Sequence, residues 1–379
     1  MTAPVIVVGG GLAGGAAACL LARAGCAVQL IEREAQPTDK ICGEFVSAEA
    51  QDYLRHLGLD LAALGAQPIA ALRLVRGASV VSCALPFAGV GLSRRVLDAA
   101  LLRQAERCGA EIRRGQSVSL QQDRAPIVLS DRDGAERRAD VLFLATGKHD
   151  MRGLARPAVP AAPDLVGFKL HLRLAPAQRA ALTGHIELVL LDGGYAGLQM
   201  VEHGIANLCL LVERSRLAQA DGNWDGLLAH LRRAEPHLRA RLVGAEAAMP
   251  RPLSIYRVPY GFVHAPRADD PPGIYRLGDQ VGVIPSFTGD GMSIALHSAA
   301  VAVSCHLGGG SASDYHRRIR RDIAGQISRA GALYRLGGSA ALQAAVMHLA
   351  AIWPGGLRLA ARATRVPRRA VQRSLHAAE

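Results

Sequence analysis

A chain of 379 residues is long enough to bury a large core and to form about two domains. Hydrophobic residues make up 50% of it and aromatics only 4%, so that core is aliphatic, and no uninterrupted apolar stretch is long enough to span a bilayer. The net charge of +12 does not mark a nucleic-acid partner: from Asp314 onward twelve arginines face three acids, and no nucleic-acid motif or run of interleaved aromatics accompanies them.

The first elements carry the strongest signal. Val5-Ile6-Val7-Val8 reads as a strand that breaks into Gly9-Gly10-Gly11-Leu12-Ala13-Gly14. An Ala-rich helix follows to about Ala24, Gly25 stops it, and a second apolar run ends on Glu32. This is strand, glycine turn, helix, strand, with G-x-G-x-x-G at the turn. Gly9 permits the tight turn, Gly11 lets a pyrophosphate approach the backbone, and Gly14 lets helix and strand pack closely. The phosphates then face the free N–H groups and positive dipole end of the helix. Glu32 is placed to accept from an adenosine ribose, which favours FAD or NAD over the 2′-phosphate of NADP. A secretory signal does not fit, because a basic leading region is missing and Arg23 interrupts the apolar stretch.

After Glu32 a loop through Lys40-Ile41-Cys42-Gly43-Glu44 leads into a helix near Ala48 to Leu57, and Asp60 to Arg76 reads as a short helix and then a strand. Leu92 to Asp98 opens an amphipathic helix to about Cys108, with Val96, Leu97, Ala100, Leu101 and Ala105 at helical spacing. Ala110 to Arg113 starts another strand, Asp131 to Gly134 reads as a hairpin turn, and Ala139 to Gly147 has the apolar run of a buried parallel strand. A Pro/Ala-rich connection, Arg156 to Pro163, marks a crossing into a second lobe. There the alternating runs from Val166 to Val212 predict an antiparallel sheet, and Trp224 to Leu242 predicts one helix. Ile274 to Gly282 returns as a strand ending in Gly278-Asp279. The glycine loop Pro285 to Gly291 then runs into a helix through Met292. The tail carries an apolar helix, Ser339 to Ile352, and an Arg-rich amphipathic segment, Leu357 to Arg373.

In this order the motifs resemble those of the p-hydroxybenzoate hydroxylase-like flavoproteins: GxGxxG and Glu32, the R-x-x-L-D of Arg94 to Asp98, the strand ending Ala145-Thr146-Gly147, then Gly278-Asp279 and Pro285 to Gly291. The Lys40 to Gly43 and Pro285 to Gly291 stretches are most similar to the geranylgeranyl reductase-related branch. The resemblance implies an α/β fold: a Rossmann-like FAD-binding domain (1–155 and 265–335), an inserted antiparallel-sheet substrate domain (156–264) and a C-terminal basic helical segment (336–379). It implies FAD held by Gly9, Gly11, Leu12, Ala13, Gly14, Glu32, Arg33, Cys42, Gly43, Arg94, Asp279, Pro285, Gly289, Asp290, Gly291 and Met292. Arg94 is expected toward the flavin side, Asp279 on a ribityl hydroxyl, and the 285–291 loop along the isoalloxazine. Where many relatives have Ala-Asp-Gly this chain has Ala145-Thr146-Gly147, and it has no second G-x-G-x-x-G. The electron donor is therefore expected to be NAD(P)H or a separate reductase.

Cys42 and Glu44 are the candidates for proton transfer, a thiol and a carboxyl on the loop that faces the flavin in the related reductases. Tyr195, Gln199 and Tyr260 are the candidates for the substrate pocket. His149, His203 and His264 stand isolated in sequence. The seven cysteines show no zinc spacing, so no metal is expected, and reduced thiols fit a cytoplasmic protein. The expected reaction is monooxygenation of a small hydrophobic or aromatic molecule. The alternatives are reduction of C=C bonds in a prenyl chain and a flavin-binding accessory role without turnover. The tail is expected as a pair of helices packed on the FAD lobe with a solvated basic face; the alternative is a peripheral membrane contact, with Leu357, Leu359 and Val366 inserted and Arg358, Arg362, Arg365, Arg368 and Arg369 at anionic headgroups.

Overall fold

The computed structural model describes residues 4–157 and 164–376; the expected crossing at Arg156 to Pro163 lies outside them from residue 158 onward. A five-stranded parallel sheet forms the first layer. Its strands run in the order Ile274–Arg276, Leu142–Leu144, Val5–Val8, Val28–Glu32, Glu111–Arg114. Every pairing in it is parallel, and the inner strands are correspondingly apolar, whereas the edge strand Glu111–Arg114 is charged and partly exposed.

Helix Leu12–Arg23 lies against this sheet, packed beside helices Arg94–Arg107 and Gly291–Leu307. Its run of Gly and Ala makes that possible. A Cβ on Gly14 would lie 1.8 Å from the Gly9 carbonyl oxygen, and one on Gly15 would press Leu101 at 3.0 Å. Gly9 sits at φ +107°, with a Cβ position 2.4 Å from the Ala145 carbonyl oxygen, so the turn admits no side chain.

The second sheet differs from the expected self-contained insert. Its nine strands include Leu165–Arg173, Gly184–Leu191, Gly194–Met200 and Ile205–Glu213, paired antiparallel in part, but also Gln67–Arg76, Ser79–Gly91 and Phe45–Val46. Gly184–Leu191 joins Gln67–Arg76 in parallel, so the insert and the 45–91 stretch share one continuous sheet. Residues 61–65 are turns, not a short helix, and the strand Ser79–Gly91 emerges from a tight turn at Gly77. The helix expected from Trp224 to Leu242 is two, Trp224–Ala234 and Pro236–Arg241, because Pro236 has no N–H to continue the first.

One long helix, Ala312–Leu336, escaped the reading of the sequence, although Ser311 and Asp314 announce it with a reciprocal capping box. Beyond it the tail folds as Ala340–Ile352, Gly355–Ala363 and Arg368–His376. The expected amphipathic segment is thus broken between Ala363 and Arg368, and the residues at the break turn inward. Val366 is 1% exposed and Arg365 is buried, so neither reaches a membrane. Among the described residues no single helix is long and apolar enough to cross a bilayer.

Candidate active site

A cavity of about 970 Å³ lies where the two sheets meet, at the upper end of the range for cofactor and substrate sites. Gly9, Gly11, Leu12, Ala13, Glu32 and Arg33 line it from the N-terminal motif. Cys42, Gly43 and Glu44 line it from the loop, with Arg94, Asp279, Gly289, Gly291 and Met292. Gly14, Pro285 and Asp290 stand behind this wall.

The residues present fit a dinucleotide. A Cβ on Gly11 would meet only the flexible ends of Arg94 (3.3 Å) and Lys40 (3.6 Å), and one on Gly291 would meet nothing within 4 Å. The backbone at both helix starts is therefore open to the cavity. Glu32 Oε2 accepts from Gly10 N–H at 2.5 Å and Oε1 from Glu34 N–H at 2.9 Å, which holds the carboxylate at the end of its strand beside the glycine turn. Arg94, expected toward the flavin, has its guanidinium at the Gly11 turn, paired with Asp98 at 2.8 Å. Lys40 reaches the same Asp98 at 2.9 Å, so two cations border the glycine turn that would hold phosphates. The Asp279 carboxylate accepts from no described residue, and its backbone oxygen takes a bond from Arg156 at 2.9 Å.

The 286–291 loop is held from behind by the tail. Arg365 donates to the Thr288 carbonyl, to the Gly289 carbonyl at 3.4 Å and to Asp290 Oδ1 at 3.2 Å, and Val366 N–H donates to Asp290 Oδ2 at 3.0 Å. The guanidinium stacks over Phe87 at 4.6 Å. Burial pushes the Asp290 carboxyl up to about 6, with Arg365 opposing.

On the loop wall, Cys42 Sγ accepts from Glu44 N–H at 3.3 Å, and the Cys42 carbonyl accepts from Asn207 at 3.0 Å. Glu44 itself is fully buried at φ +60°, an uncommon conformation for a residue with a side chain. Three donors hold it there: Lys169 Nζ at 2.5 Å, His171 Nε2 at 2.8 Å and Arg94 N–H at 2.8 Å. Burial would push its carboxyl up, but the bond from His171 and the charge of Lys169 keep it below the usual range. With both oxygens engaged and the proton disfavoured, Glu44 is held as a carboxylate and is a poor acid. Lys169 and His171 were missed in the sequence. Their signal was there, as Lys169 and His171 lie on one face, alternating with leucines on the other, of a strand whose only other ionisable residue is its terminal Arg173.

Tyr195 and Gln199 line the cavity and Tyr260 does not; it bonds Tyr195 at 3.1 Å and Ser286 at 2.6 Å, bracing the 286–291 loop. Both polar atoms of the Gln199 amide are buried without a partner, which points to a ligand group at that wall. His149 lines the cavity, and His203 lies in a turn at φ +57°. His264 is not isolated: it pairs with Asp270 at 3.0 Å and packs against the His316 ring. Among the described residues two clusters bring three metal-ligating side chains together, His264/Asp270/His316 and Asp39/Glu44/His171. Each has a cation beside it, Arg276 and Lys169, which opposes a bound metal ion. The Nε2 lone pair of His316 is also engaged by Arg276 N–H at 3.1 Å.

Residues 2–149 match a family described as FAD binding domain. The chain is 29% identical over 229 residues to the menaquinone reductase of Mycobacterium tuberculosis, a match spanning 55% of this chain and 54%, about half, of that relative. It is 27% identical over 316 residues to digeranylgeranylglycerophospholipid reductase 2 of Methanopyrus kandleri, covering 79% of this chain and 75% of that one. Its fold is similar to that of the flavin-dependent brominase Bmp2, with a TM-score of 0.78 over 100% of this chain and 98% of the brominase, at 17% identity. Residues 2–149 thus match an FAD binding domain family, and the fold over the whole chain is similar to that of a flavin-dependent brominase.

Proposed function

We propose that the protein is an FAD-dependent reductase of carbon–carbon double bonds in a long apolar molecule, such as a prenyl chain, with NAD(P)H or a separate reductase as donor. One observation carries the reading: a cavity walled by aliphatic strand residues also holds the Cys42 thiol. Leu72, Leu74, Leu85, Ile186, Leu188 and Leu198 supply that apolar wall. The relatives similar in sequence are named as reductases of a prenylated quinone and a prenylated phospholipid, which supports it further.

FAD, when bound, supplies the hydride. The chain's own residues then have three tasks. The leucines exclude water and align an apolar substrate. The Cys42 thiol holds a proton inside the cavity, and the Glu44 N–H stabilises the negative sulfur left when that proton is given up. Glu44, pinned by Lys169 and His171, keeps that N–H pointed at the sulfur.

Monooxygenation of a small hydrophobic molecule is the second reading, favoured by the size of the cavity. An anaerobic experiment separates the two. Reduced holoenzyme mixed with menaquinone under nitrogen should reoxidise and yield a product that stays two hydrogens heavier after its quinone ring is reoxidised in air, which separates a saturated prenyl bond from a quinol. Reoxidation only after air is admitted, with oxygen in the product, would replace the reductase by the monooxygenase. Absence of any substrate-dependent reoxidation would favour the accessory role.

A further inference from the structure

Among the described residues, six of the ten large apolar side chains left exposed belong to the stretch from 336 to 359; Val80, Val243, Tyr256 and Leu307 are scattered elsewhere in the chain. Leu336, Leu342, Leu349, Ile352, Trp353 and Leu359, all exposed, come from three successive helices. Leu342 and Leu349 are seven positions apart in one helix, so they share a face, and Trp353 follows just past its end. A helix against water carries charge on its outer side. Ala340–Ile352 carries none, and its exposed positions are otherwise mostly alanines. At Trp353-Pro354 the chain bends by 114° into the last two helices, which puts the indole at the tip of an elbow.

The charge around this elbow is of one sign. No acid occurs from Ile323 to Ala378, and Arg335, Arg358, Arg362, Arg368 and Arg369 are exposed. Two copies meeting at this corner would press these arginines together, whereas an anionic lipid surface complements them. The elbow also continues into the cavity: helix Gly355–Ala363 shows Leu359 to solvent and lines the cavity with Leu357, Ala360 and Ala361.

We propose that this corner seats on the surface of an anionic bilayer, with Leu349, Ile352, Trp353 and Leu359 in the acyl boundary and the arginines among the phosphates. A substrate dissolved in the bilayer then reaches the cavity past Leu357; this last step rests on the proposed apolar substrate, the seat itself does not.

Sedimentation of the purified holoprotein with vesicles tests the seat without an activity assay. The wild type should pellet with phosphatidylglycerol-containing vesicles at low salt and stay soluble with phosphatidylcholine alone. The double variant Leu349→Ser/Trp353→Ser should bind at least about tenfold more weakly with unchanged flavin content, because the buried apolar area is lost. Arg358→Gln/Arg362→Gln should weaken binding and flatten its salt dependence. The proposal is overturned by wild type that remains in the supernatant at low salt, or by Leu349→Ser/Trp353→Ser pelleting like wild type. A stable dimer that this double variant dissociates would overturn it too, assigning the corner to a second copy.

Discussion

Gly11 and Gly14 belong to one motif, yet an added side chain meets different neighbours at each. At Gly14 it would collide with the Gly9 backbone, and at Gly11 it would meet only two flexible cationic side chains across open space. Gly11→Val is therefore expected to fold and to purify without FAD, whereas Gly14→Val should fail to fold; circular dichroism with flavin absorbance distinguishes the outcomes. Flavin retained by a folded Gly11→Val protein would refute the phosphate site. Cys42 is the second residue whose role can be isolated. Its thiol takes a bond from Glu44 N–H at the edge of the core, and alanine keeps the apolar Cβ there, so Cys42→Ala should keep its flavin and lose roughly 10²- to 10⁴-fold in substrate-dependent turnover. A change within twofold would make it a packing residue. The motif glycines and Glu32 were legible because turn, helix and acid lie within 28 residues, from Val5 to Glu32. Glu44 was misread as a candidate acid because its controlling partners, Lys169 and His171, are more than a hundred residues away.

At the scale of elements, Glu187 shows how the second sheet is tied to its helices. Strand Gly184–Leu191 buries this carboxylate, and Arg73 of the neighbouring strand and His237 and Arg241 of helix Pro236–Arg241 surround it. Burial pushes the carboxyl up, but bonds from His237 and Arg241 outweigh that and hold it at about 2. A carboxyl held below its usual 4.5 stabilises the fold above pH 4.5, and the contribution fades as pH falls toward 2. The shift corresponds to on the order of 3 kcal/mol. Glu187→Gln should lower the denaturation midpoint at pH 7, with the difference from wild type shrinking below pH 4.5. A difference independent of pH would show that packing, not charge, is responsible. Strands with clean alternation and helices with apolar spacing were visible in the sequence. Helix Trp224–Ala234 was overextended because local periodicity outweighed the chain-breaking effect of Pro236.

Across the whole molecule, the C-terminal tail returns to hold a loop more than 70 residues earlier. Arg365 bonds two carbonyls and a carboxylate of the 288–290 stretch and stacks on Phe87. Arg365→Met should leave the fold intact and weaken FAD binding about ten- to hundredfold, the effect of losing charge-assisted bonds worth roughly 1–3 kcal/mol. Recovery of flavin fluorescence on dilution measures this directly. Unchanged affinity would mean that the loop keeps its shape without the tail. The same Arg365, read in sequence as a headgroup contact, is buried because Asp290 and the loop carbonyls offer it fixed acceptors that water would otherwise provide.

The amino-acid sequence by itself determined the nucleotide end of this protein. A strand, a glycine turn, a helix and a terminal acid are set by local backbone freedom and spacing, and they keep their meaning wherever the rest of the chain goes. Only the tertiary structure decided the substrate end. The burial of Glu44 by Lys169 and His171, the shared sheet from 45–91 and the insert, and the clamp of Arg365 on Asp290 are pairings between distant residues. Their energies depend on desolvation and geometry, which exist only after the chain has folded.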